Sequence, residues 1–248
     1  MINTYLFQAN IQGTYLMQRT YTIEELSSFL KRPIREIQKL AEKEILKGTK
    51  NRGQWKFALP DIVLWIEKEM TQSEVSQTIQ LENVVTNEAE EQSDVVLHNL
   101  LDIGSIDVTF AAKTKPSVIR EIVKLGTNVG KLWDPETMSN ALREREEMAS
   151  TALEEGVAIM HPRRPHPNII AEDFIALAIT PTPIPFGGTR KTTDVFFLLC
   201  CQTDVSYLRT LGKLARVLKK PGFLDTLREC TDSSSVLELI EQTERELT

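Results

Sequence analysis

The sequence predicts an α/β protein in which a sheet domain with helical layers follows a smaller, mainly helical unit. Three short apolar segments have the length of buried strands, namely residues 157–160, 174–179 and 194–201. Segments with helical periodicity precede and follow them, and strands combined with helices in this way are typical of α/β domains. The small unit is indicated by apolar residues at helical spacing between residues 19 and 70.

The charge of the chain is unevenly distributed and suggests where the two units separate. Residues 1–70 contain 11 Lys and Arg against 8 Asp and Glu, residues 71–94 contain 6 acids and no bases, and residues 95–248 contain 18 bases and 21 acids. Only the first segment is therefore basic. We expect a domain at 19–70, an acidic flexible linker at 71–93 and a second domain at 94–248, with residues 1–18 an unassigned extension.

The N-terminal unit begins with two helix signals. Thr22 and Glu25 have the spacing of a capping box, so a helix is expected with Ile23, Leu26, Phe29 and Leu30 on its apolar face. Pro33 suits the first position of a second helix, whose apolar face consists of Ile34, Ile37, Leu40 and Ala41.

A hairpin and a third helix complete this unit. Asn51, Arg52 and Gly53 predict a turn between two short strands. Pro60 begins the third helix, with Ile62, Val63, Trp65 and Ile66 on its apolar side. The segments YTIEELSSFLKRPIREIQKLAEKEILKG and GQWKF resemble the winged helix-turn-helix of the excisionase and MerR-like regulators over residues 20–70, with Lys56 where that family usually has arginine.

That resemblance implies DNA as a partner of the basic N-terminal unit. The expected DNA-binding residues are Arg35, Gln38, Lys39, Lys43, Lys50 and Arg52. An alternative stays open, because Glu36, Glu42 and Glu44 would repel phosphates and the same apolar stripes could bind another protein.

The second domain has three further helix signals. Thr114 and Pro116 mark the start of a helix with an apolar stripe of Ile119, Ile122 and Val123, and Asp134 and Pro135 start another that leads to Arg145. Asp204 precedes an amphipathic helix bearing Leu208, Leu211, Leu214, Ala215 and Leu218, and two C-terminal helices follow.

The candidate reactive residue is His161. It ends the apolar run 157–160 and precedes Pro162, which holds it in an extended conformation, so an imidazole nucleophile could be presented there. Arg145 lies at a predicted helix end, and Ser150 and Thr151 lie in the loop after it, where donors can collect around an anion. Arginine suits a phosphoryl group because its donors form a fixed fork. On these residues alone, a structural or solvated histidine is the alternative.

The pattern Arg145-Glu146-x₃-Ser150-Thr151, followed by GVAIMHP, resembles the enzyme IIA domain of the mannitol/fructose class of the bacterial phosphoenolpyruvate-dependent sugar phosphotransferase system, including its nitrogen-regulatory branch. The resemblance continues through FIALAIT, PFGG, DVFFLLCC and SYLRTLGKLARVL. It implies a mixed sheet flanked by helices. It also implies that His161 accepts a phosphoryl group from a histidine-containing phosphocarrier protein, beside Arg145 and without a cofactor or metal.

Two positions depart from the family pattern. Met160 replaces the usual proline before the histidine, and Tyr207 stands before Leu208 where the family commonly has a second histidine. We expect the Tyr207 hydroxyl to donate a hydrogen bond to the phosphoryl group, although it cannot carry positive charge. His166, in HPRRPHP, is the competing acceptor, and His98 is expected to be a packing or cap residue.

The remaining composition limits the class of protein. No apolar run approaches the ~20 residues that span a bilayer, and no secretory signal is visible, so a cytoplasmic location without membrane insertion is expected. Cys200, Cys201 and Cys230 are odd in number and lack a C-x-x-C spacing, which indicates buried thiols.

Together the two resemblances predict a cytoplasmic regulator in which phosphorylation of His161 controls DNA binding and transcription. Two alternatives remain open. One is a phosphoryl-transfer component of sugar uptake whose N-terminal unit docks a protein, and the other is a degenerate sensor that binds an anionic metabolite at Arg145 and His161. The oligomeric state is also open, a dimer being one option.

Overall fold

The computed structural model describes residues 20–30, 32–58, 61–62, 64–65, 95–187 and 191–247. The chain divides into two compact units, one formed by Met1–Glu91 with Thr203–Val205 and the other by Gln92–Gln202 with Ser206–Thr248. The predicted extension at 1–18 and the predicted linker at 71–93 lie outside the described residues, as do Val63, Ile66 and the side chains of Phe29 and Leu30.

The N-terminal unit combines short helices with a small sheet. Its elements are β1 (Thr20–Thr22), α1 (Ile23–Leu30), α2 (Ile34–Glu42), β2 (Thr49–Asn51) and β3 (Gln54–Ala58), and the strands form an antiparallel sheet in the order β1-β3-β2. The predicted capping box is confirmed, because the Thr22 N–H donates to Glu25 Oε2 at 2.8 Å and the Glu25 N–H donates to Thr22 Oγ1 at 3.2 Å.

The hairpin turn between β2 and β3 is also present where the sequence predicts it. Asn51 pairs with Gln54, so only Arg52 and Gly53 form the loop, and both have positive φ, at 48° and 85°. Positive φ at both central residues is the conformation of a type I′ turn, which favours glycine at the second position.

Apolar residues of the N-terminal unit form its own core, with one departure from the prediction. Leu26, Ile37, Ala41, Leu46, Phe57, Ile62 and Trp65 are buried, whereas Ile34 is 43% exposed. The prediction for Ile34 is wrong because it is the first residue of α2, and packing begins only one turn later, at Ile37.

The C-terminal unit contains the predicted mixed sheet. Its strands are β4 (Leu101–Asp107), β5 (Val157–Met160), β6 (Phe174–Gly187) and β7 (Lys191–Cys200), in the order β4-β6-β7-β5. β6 and β7 are antiparallel, while β4 and β5 each run parallel to their neighbour. β5 is therefore an edge strand.

The sequence analysis did not predict β4 and placed the end of β6 too early. In β4, Asp102, Gly104 and Ser105 interrupt the apolar run, and pairing with β6 maintains the strand: the buried Ser105 hydroxyl donates to the Ile175 carbonyl at 2.9 Å. β6 continues past Ile179 through a proline-rich stretch, where its register with β7 shifts.

Within the described residues, the C-terminal unit also contains six α-helices: α3 (Leu97–Leu100), α4 (Lys115–Asn128), α5 (Pro135–Met148), α6 (Asp204–Lys219), α7 (Phe223–Glu229) and α8 (Ser233–Glu246). The predicted starts of α4 and α5 are confirmed, because Thr114 accepts from the Ser117 N–H and Asp134 accepts from the Thr137 N–H. Ile119, Ile122 and Val123 of α4 are buried in the core, as predicted.

The first helix of this unit is held by a buried carboxylate. Glu244 of α8 accepts from the N–H groups of Leu97 and His98 at 2.7 and 3.1 Å, and His98 Nδ1 lies 2.8 Å from Glu244 Oε2. His98 is therefore a packing residue at the start of α3, and the cap is supplied by Glu244.

Candidate active site around His161

Strand β5, which leads to His161, begins directly after a turn in which two residues have positive φ. Glu155 and Gly156 have φ of 46° and 79°, and a side chain at Gly156 would meet Asp194 Oδ1 at 2.7 Å. Arg228 of α7 holds this turn, because its guanidinium donates to both oxygens of Asp194 at 2.7 and 2.9 Å and to the Glu155 carbonyl at 2.5 Å. The start of β5 is therefore fixed relative to β7 and α7.

The outer edge of β5 is paired with the loop that follows α5. The Leu153 N–H donates to the Val157 carbonyl at 2.7 Å, and the Ile159 N–H donates to the Thr151 carbonyl at 3.2 Å. The end of α5 and the end of β5 are thereby brought side by side, which places Arg145 next to His161.

His161 follows β5 directly and is only 5% exposed. Its Nδ1 lies 2.9 Å from the Ile159 carbonyl oxygen, and its Nε2 accepts from Arg145 Nε at 3.1 Å. A carbonyl oxygen can only accept, so Nδ1 carries the ring hydrogen; an arginine Nε can only donate, so Nε2 carries the lone pair. The contacts thus specify the neutral tautomer in which Nε2 is the nucleophilic atom.

Arg145 lies in the last turn of α5 and is 4% exposed. In addition to its contact with His161, its Nη1 donates to the Ala149 carbonyl at 2.8 Å, at the C-cap of the same helix. Two bonds in different directions orient the plane of the guanidinium, so its fork of donors has a defined position beside the imidazole.

Tyr207 of α6 packs against the ring of His161. The two ring centroids are 4.8 Å apart with an interplanar angle of 38°, and Tyr207 is 7% exposed. Tyr207 thus lies beside the histidine, and its aromatic ring limits rotation of the imidazole.

Ser150 and Thr151 lie in the loop after α5, but their polar groups have different contacts. The Thr151 N–H donates to Glu146 Oε1 at 3.0 Å, and the Thr151 hydroxyl donates to the same oxygen. The Ser150 hydroxyl accepts from the Ala152 N–H at 3.2 Å, which leaves its hydrogen for another acceptor. Of the two residues predicted to bind an anion, Ser150 keeps its hydroxyl hydrogen for an acceptor, whereas both donors of Thr151 bind a carboxylate.

Two residues at the site have roles that the sequence pattern does not indicate. Glu146, next to Arg145, is buried and its Oε2 lies 2.7 Å from Lys115 Nζ at the start of α4. The Lys115 ammonium also lies over the Phe186 ring, 4.8 Å from its centroid. The only sign of these contacts in the sequence is that Glu146 follows Arg145 in the family pattern.

The other titratable candidates are His166 and the three cysteines. His166 is half-buried, and this burial lowers its pKa, although the charge of Glu144 partly opposes the effect. Burial raises the pKa of Cys201 to about 12, and Cys200 is buried as expected, whereas Cys230 is partly exposed. Within the described residues no group of three or more His, Cys, Asp or Glu is arranged to hold a metal ion.

The predicted DNA-binding residues belong to the N-terminal unit, and all of them are exposed: Arg35, Gln38, Lys39, Lys43, Lys50 and Arg52. The Lys50 ammonium lies 5.5 Å from the Trp55 ring centroid on the hairpin, and Arg52 is at its tip. Gln38 Nε2 donates to Glu42 Oε1 at 2.9 Å, and Arg32 pairs with Glu36 at 3.0 Å.

A mixed α/β domain with a buried histidine beside an arginine agrees with what the family resemblance in the sequence implies for the C-terminal unit. The chain belongs to the family described as "Phosphoenolpyruvate-dependent sugar phosphotransferase system, EIIA 2", which matches residues 99–243. The family resemblance noted in the sequence is thus confirmed for the C-terminal unit.

Individual relatives agree with this assignment. The chain is 26% identical over 155 residues to the PTS system fructose-specific EIIABC component of Bacillus subtilis, a match that covers 58% of this chain and 22% of that protein. It therefore spans less than a quarter of the length of that curated relative.

Two solved structures share the fold. The nitrogen regulatory protein IIA-Ntr of Neisseria meningitidis is 21% identical with a TM-score of 0.53, covering 59% of this chain and 99% of that one. The IIA mannitol structure of Escherichia coli is 20% identical with a TM-score of 0.51, covering 56% and 98%. Among the described residues, no helix is both long enough and apolar enough to cross a bilayer.

Gly187 at the end of β6 provides a test of how closely the site loop is packed. A Cβ at this position would lie 2.5 Å from the Ala152 Cβ and 3.2 Å from the Ser150 hydroxyl. We predict that Gly187→Ala displaces the loop and lowers the free energy of unfolding by roughly 1–3 kcal/mol, the usual cost of overpacking. Urea denaturation measures this change.

The matched control is the double variant Gly187→Ala/Ala152→Gly, which removes the methyl group that the new side chain would meet. It should recover part of the lost stability. Equal stability of Gly187→Ala and the parent protein would show that the loop is not tightly packed against β6.

Proposed function

We propose that this protein accepts a phosphoryl group on Nε2 of His161 from the phosphohistidine of a histidine-containing phosphocarrier protein. The observation that carries the proposal is the tautomer specified by Ile159 and Arg145, which directs a lone pair of the buried ring toward the guanidinium. Membership of the EIIA 2 family supports the same chemistry.

The transfer is a displacement at phosphorus. A bond forms between His161 Nε2 and phosphorus as the phosphorus–nitrogen bond of the donor breaks, and the electron pair of that bond returns to the donor imidazole. The His161 ring gains positive charge during this step, and the Nδ1–H bond to the Ile159 carbonyl stabilises it. No cofactor takes part in this scheme.

The surrounding residues have distinct roles in the proposal. Before transfer, Arg145 donates to the lone pair on Nε2. Because the new bond to phosphorus uses that lone pair, the guanidinium then donates to the phosphoryl oxygens instead. Ser150 donates its hydroxyl to the same group. Tyr207 holds the imidazole plane by ring contact and offers a hydroxyl in place of the family's second histidine.

We further propose that the N-terminal unit binds DNA, so that the whole chain is a transcription regulator controlled by phosphorylation of His161. The support is the set of exposed basic residues on α2 and on the hairpin, together with the ion pair in which Arg32 offsets the charge of Glu36. The phosphoryl group adds a charge of roughly −1.5 to −2. We expect this added charge to weaken DNA binding by about 1–3 kcal/mol, the usual scale of coupling between two sites.

A second candidate function is phosphoryl transfer in sugar uptake, with the N-terminal unit docking a protein partner. The observation that favours it is the similarity of the C-terminal unit to a fructose-specific EIIABC component. The two candidates share the chemistry at His161 and differ in whether the N-terminal unit recognises DNA.

The phosphoacceptor prediction concerns His161 and His166. Incubation with phosphoenolpyruvate, enzyme I and the carrier protein should add one acid-labile phosphoryl group to the parent chain. His161→Ala should abolish it because the nucleophile is lost, and intact mass spectrometry checks this. His166→Ala is the matched control and should label like the parent; labelling that survives His161→Ala and disappears with His166→Ala would reverse the assignment.

The DNA-binding prediction concerns Lys39, an exposed base on α2. In gel-shift titrations of genomic fragments at graded salt, the full chain should lose affinity steeply as salt rises, because bound phosphates release counterions. Lys39→Ala should weaken binding and reduce the salt slope by about 1.

Lys113→Ala serves as the control, because it removes the same charge from an exposed position of the C-terminal unit. It should leave the affinity nearly unchanged. Absence of salt-dependent binding, or equal losses in the two variants, would favour the sugar-uptake candidate. Parallel titrations of the phosphorylated chain at matched salt test the coupling to His161.

A further inference from the structure

We infer that Glu146 is a positioning residue for the reactive pair and that it acts on both His161 and Arg145 through Thr151. The inference deepens the proposed function, on which its kinetic readout rests. Glu146 itself contacts neither the imidazole nor the guanidinium in the contacts described above, and its effect passes through the loop between α5 and β5.

The carboxylate of Glu146 has partners on both oxygens. Its side chain is 3% exposed, Oε1 accepts both Thr151 donors, and Oε2 lies 2.7 Å from Lys115 Nζ. A buried carboxylate without partners is costly, so these contacts are strongly favoured once the segment folds. The Thr151 backbone is therefore fixed against the last turn of α5.

The first consequence concerns the tautomer of His161. The Thr151 carbonyl accepts from the Ile159 N–H at 3.2 Å, and the carbonyl of the same Ile159 is the acceptor for His161 Nδ1. Glu146, Thr151, Ile159 and His161 thus form a continuous series of hydrogen bonds. If Thr151 shifted, Ile159 would lose the hydrogen bond from its N–H to the Thr151 carbonyl. The Ile159 carbonyl would then no longer be held in position to accept from His161 Nδ1.

The second consequence concerns the position of Arg145. Ala149 lies between Glu146 and Thr151, and its carbonyl accepts from Arg145 Nη1 at 2.8 Å. The bond from Thr151 back to Glu146 closes this short loop at both ends, so the Ala149 carbonyl has a defined direction. The Glu146 carboxylate therefore positions the Ala149 carbonyl that binds Arg145. Through Thr151 it also positions the Ile159 carbonyl that binds His161.

Lys115 makes this arrangement compatible with an anionic substrate. A bare carboxylate one residue from Arg145 would repel a phosphoryl group, and the ion pair at 2.7 Å offsets that charge. The Lys115 ammonium is itself located against the Phe186 ring, next to the closely packed Gly187. The contacts of Lys115 with Glu146 and Phe186 therefore connect α4, α5 and β6 next to Arg145.

The test uses two substitutions at Thr151 that differ in one group. Thr151→Val keeps the shape and removes the hydroxyl donor, while Thr151→Ser keeps the donor. The first readout is the pair of imidazole ¹⁵N chemical shifts of His161 in the full chain at one pH, which report where the ring hydrogen lies. The second is the rate of phosphorylation by the carrier protein.

We expect Thr151→Ser to retain a single Nδ1–H tautomer and a rate close to the parent. Thr151→Val should show a mixture of tautomers and a rate at least about tenfold lower, because misplacing a reacting group by about 1 Å can cost ~10²-fold in rate. A folded Thr151→Val with a single tautomer and the parental rate would overturn the inference.

Glu146→Asp provides an independent variant if Thr151→Val does not fold. It keeps the charge opposite Lys115 but shortens the side chain, so the carboxylate can no longer reach both Thr151 donors. It should also give mixed tautomers, and a single parental tautomer at the parental rate would again overturn the inference. If the tautomers mix as expected but even the parent is not phosphorylated, the positioning role stands and the proposed function fails.

Discussion

Two hydrogen bonds on opposite sides of one buried imidazole determine what the C-terminal unit can do chemically. The Ile159 carbonyl fixes the hydrogen on Nδ1, and Arg145 marks the position of the lone pair on Nε2. Each bond depends on a different element, since Ile159 belongs to β5 and Arg145 to α5. The edge position of β5 allows the loop after α5 to pair with it and bring the two together.

Local sequence signals predicted much of the fold because they describe interactions between near neighbours. The capping box at Thr22 and Glu25, the cap at Asp134 and the turn at Arg52 and Gly53 each depend on residues within one helical turn or one hairpin loop. β4 was missed for the opposite reason: its polar residues make it a weak strand by pattern, and distant β6 supplies its hydrogen bonds.

Sequence reasoning reached the residues that lie in family motifs, but not the contacts that other elements make with them. His161 and Arg145 follow from spacing and family resemblance, and Tyr207 was placed by comparison with the family's second histidine. The pairing of Glu146 with Lys115 depends on how α4 packs beside α5, and the tautomer of His161 depends on backbone geometry. Thr151 shows the limit most clearly, because a hydroxyl suited to phosphate donates instead to a carboxylate.

The central claim is that Nε2 of His161 is the nucleophile because Nδ1 is already committed as a donor to Ile159. The most direct measurement is the identity of the phosphohistidine isomer, from phosphorus–nitrogen coupling in the phosphorylated, ¹⁵N-labelled protein. We predict phosphorus bonded to Nε2, with the hydrogen retained on Nδ1. Phosphorus bonded to Nδ1 of His161 would contradict it, because the Ile159 bond could not then exist in the reacting state.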